Sequence, residues 1–161
     1  GPLSSEHTEY IGKPWQVFWQ ENTYMAVDCL GICKYHTTFL GATLPNFEDW
    51  SKVLYYNTGL QLTPEQIWDV AVRSNMVERM VNLREGLQRR DLRKGDMLNH
   101  RYFDEPCRRG AKDVIGLAID KEKFEKMIDE FYEHKGLDEE GIPKPETLER
   151  LELANEPSHI L

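Results

Sequence analysis

The sequence predicts an all-α fold, a multihelical domain whose helices are joined by long irregular loops. Three observations carry this. Apolar residues recur at helical spacing through several long stretches, those stretches open and close on helix-capping residues, and no strand alternation runs beyond a few residues. No internal repeat divides the 161 residues, a length that corresponds to one domain able to bury a proper core. Gly1-Pro2-Leu3-Ser4-Ser5 reads as a tag or linker remnant, which leaves residues 6–161 as the domain.

The first helix starts at Pro14, whose missing N–H suits the first helical position. Trp15, Phe18, Trp19, Met25, Ala26 and Cys29 repeat along it, and Gly31 is the left-handed residue that stops it. Tyr35 to Pro45 is a polar and aromatic connection containing Gly41. Asn46 then caps a second helix, with Glu48 and Asp49 in its favourable first turn and Phe47, Trp50, Val53 and Leu54 as its buried stripe. Gly59 and Leu60 end it. The next start has the strongest signals: Thr63 caps, Pro64 stands first, Gln66 completes a capping box, and Leu62 staples to Ile67. One face of the following long helix is marked by Ile67, Val70, Ala71, Ser74, Val77 and Val81 as far as Arg84, and Met76, Met80 and Leu83 widen it.

From Arg84 to Lys112 nine Lys/Arg stand against five Asp/Glu, a net of +4 where the rest of the chain carries −12. The expectation is a long ordered loop whose guanidinium groups pair with acidic helices around it. Asp120 opens the last long helix, striped by Phe124, Met127, Ile128, Phe131 and Tyr132 and stopped at Gly136. Asp138-Glu139-Glu140-Gly141 lacks the alternating ligand spacing of a calcium loop and reads as a solvated acidic turn. A short helix from Pro145 to Leu153 and a frayed tail complete the chain.

Composition narrows the function. The 40% hydrophobic content, with four Trp and seven Tyr, marks a globular protein. A formal charge of −8 argues against general nucleic-acid binding, including a reading of the basic stretch with Tyr102 and Phe103 as stacking groups. No apolar run approaches the roughly 18 residues of a membrane span. An odd set of three cysteines without CxxC spacing is no disulfide framework and points to a reducing, cytoplasmic compartment. By itself such a chain cannot supply four ligands to a closed zinc or iron–sulfur site.

Asp28-Cys29-Leu30-Gly31-Ile32-Cys33 is the stretch with chemistry in it. Asp28 sits in the last turn of a helix, where the dipole is negative and a carboxylate is unfavourable. A local rule broken without visible compensation is where function is expected. Cys29 continues the apolar face and is expected to be a buried core thiol. Cys33 falls past the stop, where a thiolate is disfavoured unless Lys34, His36 or a metal compensates. Ile32 can offer backbone groups to a ligand held there, and His36 is either a pocket residue or a solvated loop histidine.

The pattern Asp28-x-x-Gly31-x-Cys33, followed by Lys34 and an aromatic residue, resembles one in the aldehyde ferredoxin oxidoreductase family of tungsten-pterin enzymes. Further similar motifs follow in order: Tyr56-Asn57-Thr58-Gly59, Glu78-Arg79, Asn82-Leu83, Asp96-x-Leu98-x-x-Arg101, then Gly136-Leu137-Asp138 and Gly141-Ile142-Pro143. The resemblance spans residues 13 to 153 and departs at Arg90 and Asn99, where glycine and proline are typical. It implies the carboxy-terminal helical domain of a longer oxidoreductase, with Cys33 as the last ligand of a [4Fe–4S] cluster and Asp28 and Ile32 contacting the tungsten-bis-pterin. Its implied partners are the amino-terminal domains of the same enzyme and ferredoxin or another electron carrier. Enzymes acting on aldehydes, hydroxy acids and aromatic acyl thioesters share this domain, so the resemblance does not name a substrate. No residue of the chain is implied as catalytic. The chain alone is expected to hold no cofactor and to be inactive, with association, including homo-oligomers, driven by an exposed patch at Trp15, Trp19 and Phe39. The alternative is a free-standing helical interaction domain without cofactor.

Overall fold

The computed structural model describes Glu6 and residues 8–37, 45–89, 91 and 95–154. Its architecture among these residues is all-α, with six helices, one 3₁₀ turn and no strand beyond an isolated Leu137–Pro143 bridge. No helix among them is long and apolar enough to cross a membrane. Helix α1 is Lys13–Leu30, α2 is Phe47–Thr58, α3 is Pro64–Arg84, α4 is Arg101–Asp104, α5 is Lys121–Lys135 and α6 is Pro145–Arg150. Helix α1 packs against both α3 and α5, and α2 packs on α3.

The capping signals became boundaries. Asn46 accepts from the N–H groups of Glu48 and Asp49 while Asp49 returns a bond to the Asn46 N–H, and Thr63 and Gln66 do the same for α3. Asp120 accepts from the Lys123 N–H, which holds its carboxyl below the usual range. The one helix without a sequence signal is α4, a single turn inside the basic stretch.

The core has two apolar clusters, and α3 serves both. Ile67 and Ala71 join Ala26 and Val27 of α1 and Trp50 of α2 in one. Val72, Met76 and Met80 join Ile128, Tyr132, Leu137, Leu148, Leu151 and Leu153 in the other. This corrects the expected α3 stripe: Val70 is 43% exposed, whereas Met76 and Met80 are almost wholly buried. A helix that feeds two clusters on different sides cannot carry one stripe. The expected α2 stripe also narrows, because α2 packs chiefly on α3, and Val53 is 50% exposed. The Trp50 indole N–H is buried without an acceptor among the described residues.

The basic stretch is tied to the core through charge, as expected of it only in part. Arg89 pairs with Asp129 of α5 and donates 2.6 Å to the Glu139 carbonyl. Arg101, by contrast, pairs with Glu105 on the same stretch. The deeper anchor is Asp96, which meets Arg79 of α3 at 2.8 Å and the Tyr132 hydroxyl of α5 at 2.5 Å. Arg79 also donates to the Gly141 carbonyl at 2.9 Å, and both guanidinium groups lie over the Tyr132 ring. Burial and the Asp96 carboxylate push the Tyr132 hydroxyl up to about 12. The turn at 138–141 is a local one, with Asp138 Oδ1 accepting from the N–H groups of Glu140 and Ile142.

Trp15 is 42% exposed and packs edge-on against His134, and Trp19 is half-buried. Phe39 and residues 1–5, like Arg90 and Gly41, lie outside the described residues.

Candidate functional site

The end of α1 is built by a glycine stop and an apolar plug. Gly31 takes φ 69°, its N–H donates to the Asp28 carbonyl at 3.2 Å, and the Ile32 N–H donates to the Val27 carbonyl at 2.9 Å. This pair of bonds satisfies carbonyls that a helix end leaves orphaned. It also folds the Ile32 side chain back onto the cluster of Ala26, Val27 and Trp50. The chain therefore leaves the helix at a fixed point and in a fixed direction.

Cys33 comes next, in extended conformation, and caps the 3₁₀ turn Lys34–His36. Its carbonyl accepts from the His36 N–H at 3.0 Å, and the fully buried Thr37 donates its hydroxyl to the Lys34 carbonyl at 2.8 Å. Held between the Ile32 plug and the Thr37 anchor, the Cys33 thiol is exposed. Asp28 is on the same end, its side chain 55% exposed. The structure thus brings Asp28, Ile32 and Cys33 together at one surface. Ile32 has its N–H committed within the chain, so its carbonyl is what it can offer a ligand. His36 is exposed and contributes a backbone bond.

The missing compensation for Asp28 is Lys34. Its Nζ lies 2.9 Å from Asp28 Oδ2 and 5.0 Å from the centroid of the Tyr24 ring, one helical turn earlier on the same face. The cation offsets the negative helix end locally, although an exposed pair of this kind is worth only about 0–1 kcal/mol to folding. Lys34 was weighed in the sequence only for the thiol. The signal that finds its partner is geometric: a cation three residues past a glycine stop folds back over the last turn.

Cys29 corrects the sequence reading, because it is exposed rather than a core thiol. Its helix phase is inward, and its Sγ faces Ser74 Oγ of α3 at 3.8 Å. At that level α3 presents Ser74 and the exposed Val70, so no wall closes over the thiol. A crevice of about 30 Å³ between Ala26, Leu62 and Ile67 borders it.

Deeper in α1, sequence reasoning missed two polar features. Asn22 and Asn75 are buried, joined at 2.8 Å across α1 and α3. Glu21 faces Lys135 of α5 at 2.8 Å, and burial raises the Glu21 carboxyl against the opposing pull of Lys135. Both interrupt an apolar repeat, the only trace they leave in sequence.

Among the described residues no three His, Cys, Asp or Glu side chains gather to hold a metal. The donors at the α1 end are the Asp28 carboxylate and two exposed thiols, Cys33 beyond the helix stop and Cys29 against Ser74. An exposed thiol on an anchored loop fits a single ligand of a cluster whose other ligands come from elsewhere, and a carboxylate fits the ring N–H and amino donors of a pterin.

The family described as "Aldehyde ferredoxin oxidoreductase, domains 2 & 3" matches residues 2–153. The WOR-like subunit of an aliphatic sulfonate oxidoreductase from Pyrococcus furiosus is 31% identical over 152 residues, covering 91% of this chain and 22% of its own length. The tungsten-containing aldehyde ferredoxin oxidoreductase of the same organism is 31% identical over 129 residues, 80% of this chain and 19% of its own. In structure the chain resembles the BamBC active-site complex of benzoyl-coenzyme A reductase with 1,5-dienoyl-CoA, at TM-score 0.69 and 21% identity over 98% of this chain and 22% of that one. The last likeness speaks for the fold. The chain spans about a fifth of the length of these relatives.

Proposed function

The chain belongs to the aldehyde ferredoxin oxidoreductase family, and from that membership we propose that it is the carboxy-terminal helical domain, residues 6–161, of a tungsten-pterin, iron–sulfur oxidoreductase. In the intact enzyme Cys33 supplies one ligand of a [4Fe–4S] cluster, and Asp28 and the Ile32 carbonyl contact the pterin. The observation that carries this is the α1 end, where the glycine stop and the Ile32 plug present the Cys33 thiol and the Asp28 carboxylate at one exposed surface.

When bound, the tungsten-pterin supplies the oxidation of an aldehyde or similar carbonyl compound, and the cluster passes electrons to ferredoxin or another carrier. The chain's own residues do the holding. Gly31 and the 3₁₀ turn fix where the Cys33 sulfur lies, and Asp28 accepts hydrogen bonds from ring N–H and amino groups. Ligation resolves the electrostatic cost of a thiolate at a helix C-terminus, because the metal holds the thiolate outright. With both cofactors bound, Cys33 would be the cluster ligand through which electrons cross from the pterin. No residue here takes a catalytic acid or base role. The 161-residue chain alone, with one candidate ligand, holds no cluster and shows no oxidoreductase activity.

Ultraviolet–visible spectra and metal analysis of the native full-length protein test the reading. A brown protein containing tungsten or molybdenum with iron is expected. A colourless, metal-free protein overturns it in favour of a free-standing interaction domain, for which the exposed Val53, Tyr56 and Leu60 of the α2 end would be the surface.

A further inference from the structure

We infer that Lys34 is a positioning residue for both groups at the α1 end: it holds the Asp28 carboxylate in place for its ligand and sets the electrostatic field around the Cys33 sulfur. The inference rests on the reading of Asp28 and Cys33 given above and adds a third residue to it. Lys34 is seated between two α1 side chains a turn apart, Tyr24 and Asp28, with its Nζ 5.0 Å from the ring centroid and 2.9 Å from Oδ2. The ring supplies a cation–π contact and the carboxylate a charge-assisted bond, so the ammonium has a defined seat.

That seat has three consequences. Lys34 engages Asp28 through Oδ2, which leaves Oδ1 to face a ligand while the carboxylate is held by the other oxygen. It places a positive charge at the negative end of α1, against a carboxylate that the dipole alone would disfavour. Lys34 also follows Cys33 directly in sequence, so its charge belongs to the residue adjoining the thiolate of any cluster held there. A cation near such a cluster favours its reduced, more negative form and raises its reduction potential.

The test uses the full-length enzyme with Lys34→Met, which keeps the chain length and removes the charge, and Lys34→Arg, which restores it. Iron, tungsten and pterin are quantified after gel filtration, and the midpoint potential of the cluster is read by redox titration followed by electron paramagnetic resonance. Lys34 is 44% exposed, so neither variant threatens the core. Lys34→Met is expected to retain iron, to move the cluster potential to a more negative value and to lower the pterin-to-iron ratio several-fold, and Lys34→Arg to recover both. An unchanged potential and ratio in Lys34→Met overturn the inference. Cys33→Ala, run in parallel, separates the two levels: loss of the cluster there with an inert Lys34→Met sinks only the role of Lys34, whereas an intact cluster in Cys33→Ala removes the site reading and the inference with it.

Discussion

At the residue scale, the two cysteines four apart are distinguished by what surrounds them rather than by what they are. Both are exposed, but Cys33 lies beyond the helix stop on an anchored turn, whereas Cys29 meets Ser74 of α3 and borders a small crevice. The sequence located both relative to Gly31 correctly. It could not show that the wall beside Cys29 is missing, because burial depends on what another helix presents. Tyr132 makes a similar case. Its place in the apolar stripe was legible, but its hydroxyl partner Asp96 comes from a loop 36 residues away. With its ionisation raised above the ordinary tyrosine range near 10, Tyr132 contributes stability that is full below that value and is lost as pH rises through about 12. Absorbance titration of the tyrosinates should therefore show a latest group near 12, beyond the Tyr24 hydroxyl that burial also raises, absent in Tyr132→Phe and shifted down in Asp96→Asn. A group near 12 that persists in Tyr132→Phe contradicts the assignment. Two glycines give a matched pair of substitutions. Gly31→Ala meets open space and costs only its left-handed backbone, about 1–2 kcal/mol. Gly141→Ala, also at positive φ, would set its Cβ 2.1 Å from the Arg79 guanidinium and 2.8 Å from Tyr132. Denaturant unfolding should rank Gly141→Ala clearly below Gly31→Ala.

At the element scale, helix starts and stops were legible almost everywhere, because a cap is a local chemical requirement that a few adjacent residues must meet. Gly31, Gly59 and Gly136 each end a helix as expected, and Asn46, Thr63 and Asp120 each begin one. The α3 face was not, since its sides are claimed by two separate clusters. Nor was the α1–α5 tie, because Glu21 and Lys135 are far apart in the chain. Burial raises the Glu21 carboxyl, so its ionisation draws on stability as pH rises through its folded value, and Lys135 limits that loss. Lys135→Met should then cost more at pH 7 than at pH 4, because it leaves an unpaired buried charge only where Glu21 is ionised. Thermal melts at the two pH values decide it, and an equal cost at both contradicts the buried pairing.

At the scale of the whole molecule, the all-α fold was fully legible, whereas the contacts around the proposed site were not. The Asp28–Cys33 spacing placed both residues at one helix end. The clamp of Lys34 between Tyr24 and Asp28 required the backbone to turn back, which only the structure shows. The exposed apolar side chains at Trp15, Val53, Tyr56 and Leu60 are surfaces that a longer enzyme would cover. Sedimentation of the 161-residue chain is expected to show association that strengthens with concentration, and a strict monomer at high concentration would count against it. The central claim is that Cys33, and not Cys29, is the cluster ligand. The most direct measurement is the iron content and cluster spectrum of the full-length protein carrying each cysteine-to-alanine change. The account predicts that Cys33→Ala loses the cluster and Cys29→Ala keeps it; a cluster bleached by Cys29→Ala and intact in Cys33→Ala would contradict it.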